Sequence, residues 1–282
     1  MIHGISVDVE DWYQLRMGGE TPISRRFEHS VEAVLAALSD RAVRATFFVL
    51  GLVADGAPRV VRRIAEAGHE IQSHGYAHRL NHGLSEAEFR EDVVRAKHLI
   101  EDVTGREVYA YRAPLFTIDE RNLWALDVLA ETGHRYDSSI FPVKTARYGV
   151  AGYPPEPRIV ETRRGRRLVE APVASFDWLG RRWPVGGGGY FRLWPYAFLR
   201  RAWGHLERIG RPGIVYFHPY EYDPDEMRAY AHRFPLGLRL HQGIGRQGFP
   251  KKIDRLLGDF RFGPMGEVLA PLLEDLPCES RS

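Results

Sequence analysis

Cysteine is almost absent from this chain of 282 residues. Cys278, in the polar tail "LPCESRS", is the only one, which excludes an intramolecular disulfide and any zinc site built on thiolates. No apolar run approaches the roughly 20 residues that a membrane-spanning helix needs. The start, "MIHGISVDVEDW", has neither the basic segment nor the apolar core of a secretion signal, so a cytoplasmic location is expected. An excess of one charge is missing too: 39 Lys and Arg stand against 37 Asp and Glu, a formal charge of +2. Bulk electrostatics therefore give no reason to expect nucleic acid or an anionic membrane as partner, and any recognition must be local. Internal repeats and low-complexity segments are also absent.

What the chain does have is alternation. Short apolar runs such as "GISVDVE" (4–10), "RATFFVLG" (44–51), "HEIQSH" (69–74), "VYAYRAP" (108–114), "RLVEAPV" (167–173) and "GIVYFHP" (213–219) are separated by helix-period segments. Helix starts are expected at Ser30 and Ser85, with glycines at the ends. Strand then helix, repeated about seven times, predicts an α/β fold with a parallel sheet closing into a (β/α)7-type barrel. Residues 143–195 break the rhythm with "YPPEPR", a run of arginines and "GGGG", and are expected to be an insertion of loops and a hairpin.

The polar clusters fall at strand C-termini, where an α/β barrel assembles its active site. In "SVDVEDW", Asp8 and Glu10 are two apart and project to one face of a strand, where two carboxylates can share a cation. Asp11 points the other way if the strand persists. In "SHGYAHRL", His74 and His78 lie one helical turn apart and can offer two imidazoles to one metal. His82, beyond a probable turn, is expected at the surface. Arg112 in "YRAPLF" can pair with a buried carboxylate and hold it ionised. His218 in "YFHP" ends the most apolar strand of the chain.

These four clusters, in this order, resemble the polysaccharide deacetylase family (carbohydrate esterase family 4, the NodB-homology domain). "SVDVED", "HGYAH", "RAP" and "YFHP" stand where the family has its motifs. "SVDVEDWYQ", "YDSSIFP", "GGGGYFRLWPY" and the extension around "KKIDRLLGDFRF" resemble the subgroup found with exopolysaccharide and exosortase loci. The resemblance implies a distorted barrel, with a catalytic domain at 1–225 and a C-terminal helical extension at 226–282 packed on it.

It also implies a metal-dependent hydrolase that removes N-acetyl groups from amino sugars of a polysaccharide or its precursor. The implied catalytic residues are Asp8 as base, Arg112 holding it, His218 as acid and Asp137 tuning His218. A divalent ion, Zn²⁺ or alternatively Co²⁺ or another, would be held by Glu10, His74 and His78. Typical members carry two adjacent aspartates in the first motif; here Val9 separates Asp8 from Glu10, and the choice between Glu10 and Asp11 as ligand stays open. The glycine-rich loop lacks the Lys-Ser/Thr of a phosphate loop. Its backbone is expected to approach a sugar, with Tyr190, Phe191 and Trp194 lining the groove beside Pro114. A hydrolase of small cyclic amides on the same fold and a non-catalytic carbohydrate-binding protein are the alternatives.

Overall fold

The computed structural model describes residues 1–18, 21–145 and 148–277; Cys278 lies outside them. In chain order the strands are β1 (His3–Val9), β2 (Thr46–Val49), β3 (Glu70–Ser73), β4 (Ala110–Tyr111), β5 (Tyr136–Asp137), β6 (Arg158–Glu161), β7 (Arg167–Glu170), β8 (Ser175–Trp178), β9 (Arg181–Pro184), β10 (Ile214–Phe217) and β11 (Phe262–Gly263). The main sheet has the order β10-β1-β2-β3-β4-β5-β7-β6, with β11 added beside β1. From β10 to β7 every pairing is parallel, and β6 joins β7 as an antiparallel hairpin. β8 and β9 form a separate hairpin.

Every residue of β1 is buried, as parallel strands covered on both faces require. Ile5, Val7 and Val9 share a core with Phe47, Val49 and Ile71 and with apolar side chains of the helices Arg25–Asp40, Pro58–Glu66 and Tyr196–Arg208. The opposite face of the sheet contributes Phe48, Ala110, Tyr136, Val169 and Tyr216 to a second cluster, and on this face Asp8 sits level with Phe48 and Gln72. The helix Glu86–Thr104 begins at Ser85 with a full capping box. The first long helix starts at Ser24, not Ser30: Ser24 Oγ accepts from Phe27 N, whereas the Ser30 hydroxyl donates to Arg26 O at 2.9 Å inside the helix.

The interval expected as an insertion supplies β7 to the main sheet. It also closes the gap between β7 and β10. Ala174 N donates to Ile214 O (2.9 Å), Tyr216 N donates to Gly186 O (2.7 Å), and Gly187 bridges Tyr216. Glycine is required here: a Cβ on Gly186 would lie 2.5 Å from Ala174 N, and one on Gly187, whose φ is +150°, 2.1 Å from Tyr216 O. Gly186 and Gly187 thus bring backbone against strand β10, while Gly188 and Gly189 line a cleft beside His218.

The C-terminal part reaches the other end of the barrel. Met265 N donates to Thr46 Oγ1 (2.7 Å) and Gly266 N to Glu70 Oε2 (3.1 Å), both on first residues of strands, so the helix Met265–Glu274 seals the base. Gly187→Ala should lower stability by about 2 to 4 kcal/mol through overpacking and backbone strain. Gly189→Ala, whose added Cβ meets nothing nearer than 3.7 Å, should change it by less than about 0.5 kcal/mol. Urea unfolding of both variants checks this, and equal stability would show that the seam tolerates a side chain.

Candidate active site

Arg112 follows β4 and is fully buried. Its Nη1 donates to Ser6 Oγ and to Asp8 Oδ1, each at 2.8 Å, its Nη2 to Ser138 Oγ at 2.9 Å, and its Nε to Ser138 O at 3.3 Å. The guanidinium also lies 4.3 Å from the Phe48 ring centre. Asp8 is therefore held in one place by a buried, directed guanidinium. The Arg112 carbonyl, which can only accept, lies 2.8 Å from His74 Nδ1. That contact puts the proton on Nδ1 and leaves the Nε2 lone pair free.

His74 and His78 do not share a helix. The chain leaves β3 in a loop in which Gly75 has φ +77° and His78 itself φ +55°. Gly75 O accepts from Gly51 N (2.9 Å) and Tyr76 N donates to Asp92 Oδ2 (2.8 Å), so the bend is pinned from outside. It brings both imidazoles to Glu10: His78 Nε2 lies 2.9 Å and His74 Nε2 3.7 Å from Glu10 Oε2. Glu10, His74 and His78 each offer one ligand atom within 4.8 Å of the others. Glu10 Oε2 is buried and has no properly directed donor among the described residues. Burial alone would raise the Glu10 pKa, but His78 and His218 outweigh it and hold the carboxyl well below its ordinary value. One anionic oxygen and two imidazole nitrogens are a donor set that fits a divalent first-row cation.

Asp11 is spoken for elsewhere. As N-cap of the helix Trp12–Met17 it accepts from Tyr13 N (3.0 Å) with Oδ1 and from Ser24 N (2.7 Å) with Oδ2, which leaves Glu10 as the first-motif acid facing the histidines. His82 pairs with Asp119 (3.1 Å) and contacts Arg121.

His218 turns Nε2 toward Glu10 Oε1 (3.6 Å) and Nδ1 toward Glu221 Oε2 (3.3 Å). Its ring stacks on Tyr220 at 4.6 Å. Burial disfavours the imidazolium, yet Glu10 and Glu221 outweigh it and raise the His218 pKa. Glu221 in turn pairs with Arg192 Nε at 3.1 Å. The carboxylate on His218 is thus Glu221, not Asp137. Its signal in the sequence was the spacing of "HPYE", an acid three residues after the imidazole with proline between. Arg192 carried no such signal.

Asp137 instead pairs with Glu170, its neighbour across β5 and β7. It accepts from Ser139 Oγ at 2.5 Å, while Glu170 Oε1 accepts from Ile140 N at 3.0 Å. Both acids are fully buried, and burial raises both, Asp137 from 3.8 to about 6 and Glu170 further. They hold a proton that the unfolded chain would release.

The cleft beside His218 encloses about 440 Å³, and its walls include Leu115, Tyr190, Leu193, Tyr216, His241 and Gln242. Tyr190 lines it as expected. Phe191 does not: it is fully buried against Phe249. Trp194 packs on Trp183 and Phe198 and donates to Pro184 O at 3.0 Å, so its ring belongs to the barrel's outer layer. Pro114 is buried, and the next residue, Leu115 (φ +51°), is the one that reaches the cleft.

Residues 21–136 match the family model described as polysaccharide deacetylase, and residues 138–270 match a domain of unknown function, DUF3473. The chain is 34% identical over 95 residues to a peptidoglycan-N-acetylglucosamine deacetylase of Bacillus cereus, covering 33% of this chain and 34% of that protein. It is 32% identical over 98 residues to a chitooligosaccharide deacetylase of Bradyrhizobium sp., covering 34% and 42%. The chain therefore spans less than half the length of these curated relatives. Among solved structures, a polysaccharide deacetylase candidate from Mycobacterium smegmatis superposes with TM-score 0.63 at 20% identity over 99% of this chain and 92% of that one. An allantoinase gives 0.63 at 15% identity over 98% and 91%. At these identities the likeness is one of fold.

The raised carboxyl pair generates a pH prediction. A proton held more tightly in the folded state contributes stability that is complete below pH 3.8 and is lost as pH rises through about 6. Asp137→Asn, which cannot ionise, should gain on the wild type by on the order of 2 kcal/mol between pH 4 and 6 and keep that gain above. Denaturant unfolding from pH 4 to 8 measures it, and parallel stability curves would show that the pair does not hold the proton.

Proposed function

We propose that this chain, which carries a polysaccharide deacetylase domain, hydrolyses the acetamide of N-acetylated amino sugars in a polysaccharide or its precursor. One observation carries the reading. A carboxylate fixed by a buried arginine (Asp8 on Arg112) stands two residues before Glu10, and an imidazole fixed by a buried carboxylate (His218 on Glu221) turns Nε2 toward Glu10 of the Glu10, His74 and His78 group. The names of the relatives from Bacillus cereus and Bradyrhizobium support the amino-sugar substrate. An exopolysaccharide or its precursor, modified in the cytoplasm, is the substrate class we infer.

Glu10, His74 and His78 would hold the divalent ion, Zn²⁺ being the first candidate for this donor set. When bound, such an ion polarises a carbonyl and lowers the pKa of a water. The residues of the chain do the rest. Asp8, fixed in place by Arg112, accepts a proton from the attacking water as the water oxygen bonds to the acetyl carbon. The carbon–nitrogen bond can break only if the amine leaves protonated. His218, whose Nδ1 is turned to Glu221, presents Nε2 to the site and gives that nitrogen its proton. Acetate and the free sugar amine are the products. Tyr190 and Leu115 form the cleft wall against which neighbouring sugar rings would lie.

Protein loaded with Zn²⁺ should release acetate from N-acetylglucosamine oligomers. Asp8→Asn and His218→Ala should keep the fold and the metal yet lower kcat by roughly 10² to 10⁴. Acetate release unchanged in either variant would remove that residue from the chemistry, and ring opening of a hydantoin in place of acetate release would assign the site to cyclic amides.

A further inference from the structure

Residues 227–253 contain Arg228, Arg233, Arg239, Arg246, Lys251 and Lys252 and not one Asp or Glu. In a chain whose charges otherwise nearly cancel, this is a local excess. Three of these cations act internally: Arg246 is buried against Glu226 at 2.6 Å, Lys252 donates to the Arg192 and Trp194 carbonyls at 2.5 and 2.7 Å, and Arg239 donates to Ala231 O at 3.1 Å. Arg228, Arg233 and Lys251 stand in solvent, and the acid paired with Arg228, Asp225 at 3.7 Å, is itself exposed.

The helix Leu236–Gly243 lies in the middle of this segment and buries none of its residues. Leu236, Leu240 and the following Ile244 recur at a spacing of four and are 60%, 63% and 54% exposed. An eight-residue helix gains little stability by itself, and here its large aliphatic side chains meet water. The same helix places His241 and Gln242 in the wall of the cleft, beside Leu115 and Leu193, which are also exposed. Aliphatic side chains set among the exposed cations Arg228, Arg233 and Lys251 suit an interface where acyl chains lie beneath phosphate groups.

We propose that residues 227–253 dock the cleft mouth onto an anionic lipid bilayer, with Leu236, Leu240 and Ile244 entering the acyl boundary and Arg228, Arg233 and Lys251 meeting the headgroup phosphates. Together with the proposed deacetylation, on which this consequence rests, docking brings the site to saccharides held at a membrane surface. The test is sedimentation of the full chain with vesicles of phosphatidylcholine, alone or mixed with phosphatidylglycerol. Binding should occur to the anionic vesicles only and weaken with salt. Leu236→Ser/Leu240→Ser and, separately, Arg233→Glu/Lys251→Glu should each weaken it about tenfold or more, with acetate release from soluble oligosaccharides unchanged. No wild-type binding to anionic vesicles, or binding in both double variants as strong as in the wild type, overturns the proposal. So does a wild-type dimer, without vesicle binding, that Leu236→Ser/Leu240→Ser dissociates. Vesicle binding without acetate release would sink the deacetylase reading and leave the docking surface standing.

Discussion

A guanidinium shut away from water must be matched group by group, and Arg112 sets that requirement at the centre of this fold. Its four directed bonds tie β1, through Ser6 and Asp8, to the segment after β5, through Ser138, and its carbonyl fixes the tautomer of His74 after β3. Desolvating such a cation costs several kcal/mol, and removing one partner of a buried pair commonly costs about 3 to 5 kcal/mol. The barrel therefore closes only in a register that brings Asp8 to Arg112, and that register is the one that sets Glu10 before the two histidines. Structure and candidate chemistry depend on the same side chain.

Backbone strain is concentrated around this centre. His78, Leu115 and Phe116 all adopt positive φ without being glycine, a conformation that costs of order 1 to 3 kcal/mol per residue and persists only where the surroundings enforce it. At His78 the bend turns an imidazole toward Glu10. At Leu115 and Phe116 it buries one ring among Phe141, Tyr148 and Tyr216 while sending the neighbouring leucine to the cleft. The C-terminal segment matters at both ends of the barrel. Arg192 donates to Gln242 O at 2.6 Å and pairs with Glu221, so the residues after 226 brace the side chain that orients His218, while Met265–Glu274 seals the base.

The repeated strand–helix units and the end of the barrel that carries the polar residues were legible in the sequence because several strands end in a polar motif after a short apolar run. Asp8, Arg112, Glu10, His74 and His218 were legible for the same reason. Less could be read where contacts are distant in sequence. Phe191 and Trp194 looked like sugar platforms, but aromatic composition does not reveal which way a ring faces, and both turn into packing. Asp137 belongs with Glu170, 33 positions away, a pairing fixed by sheet register that no local pattern announces. The histidine spacing suggested a helix, since four residues make about one turn, whereas a loop with two left-handed residues achieves the same convergence. The glycine run was legible only in part: Gly188 and Gly189 line the cleft, but the packing of Gly186 and Gly187 on strand β10 is close in space only after folding.

Glu10, His74 and His78 would form one cation site from which Asp11 is excluded by its capping role. Metal content measured by elemental analysis after equilibration with Zn²⁺ tests this directly. One ion per chain is predicted for the wild type and for Asp11→Asn, and a loss of most of it in Glu10→Gln and in His78→Gln. Full metal content in Glu10→Gln, with loss in Asp11→Asn, would contradict it.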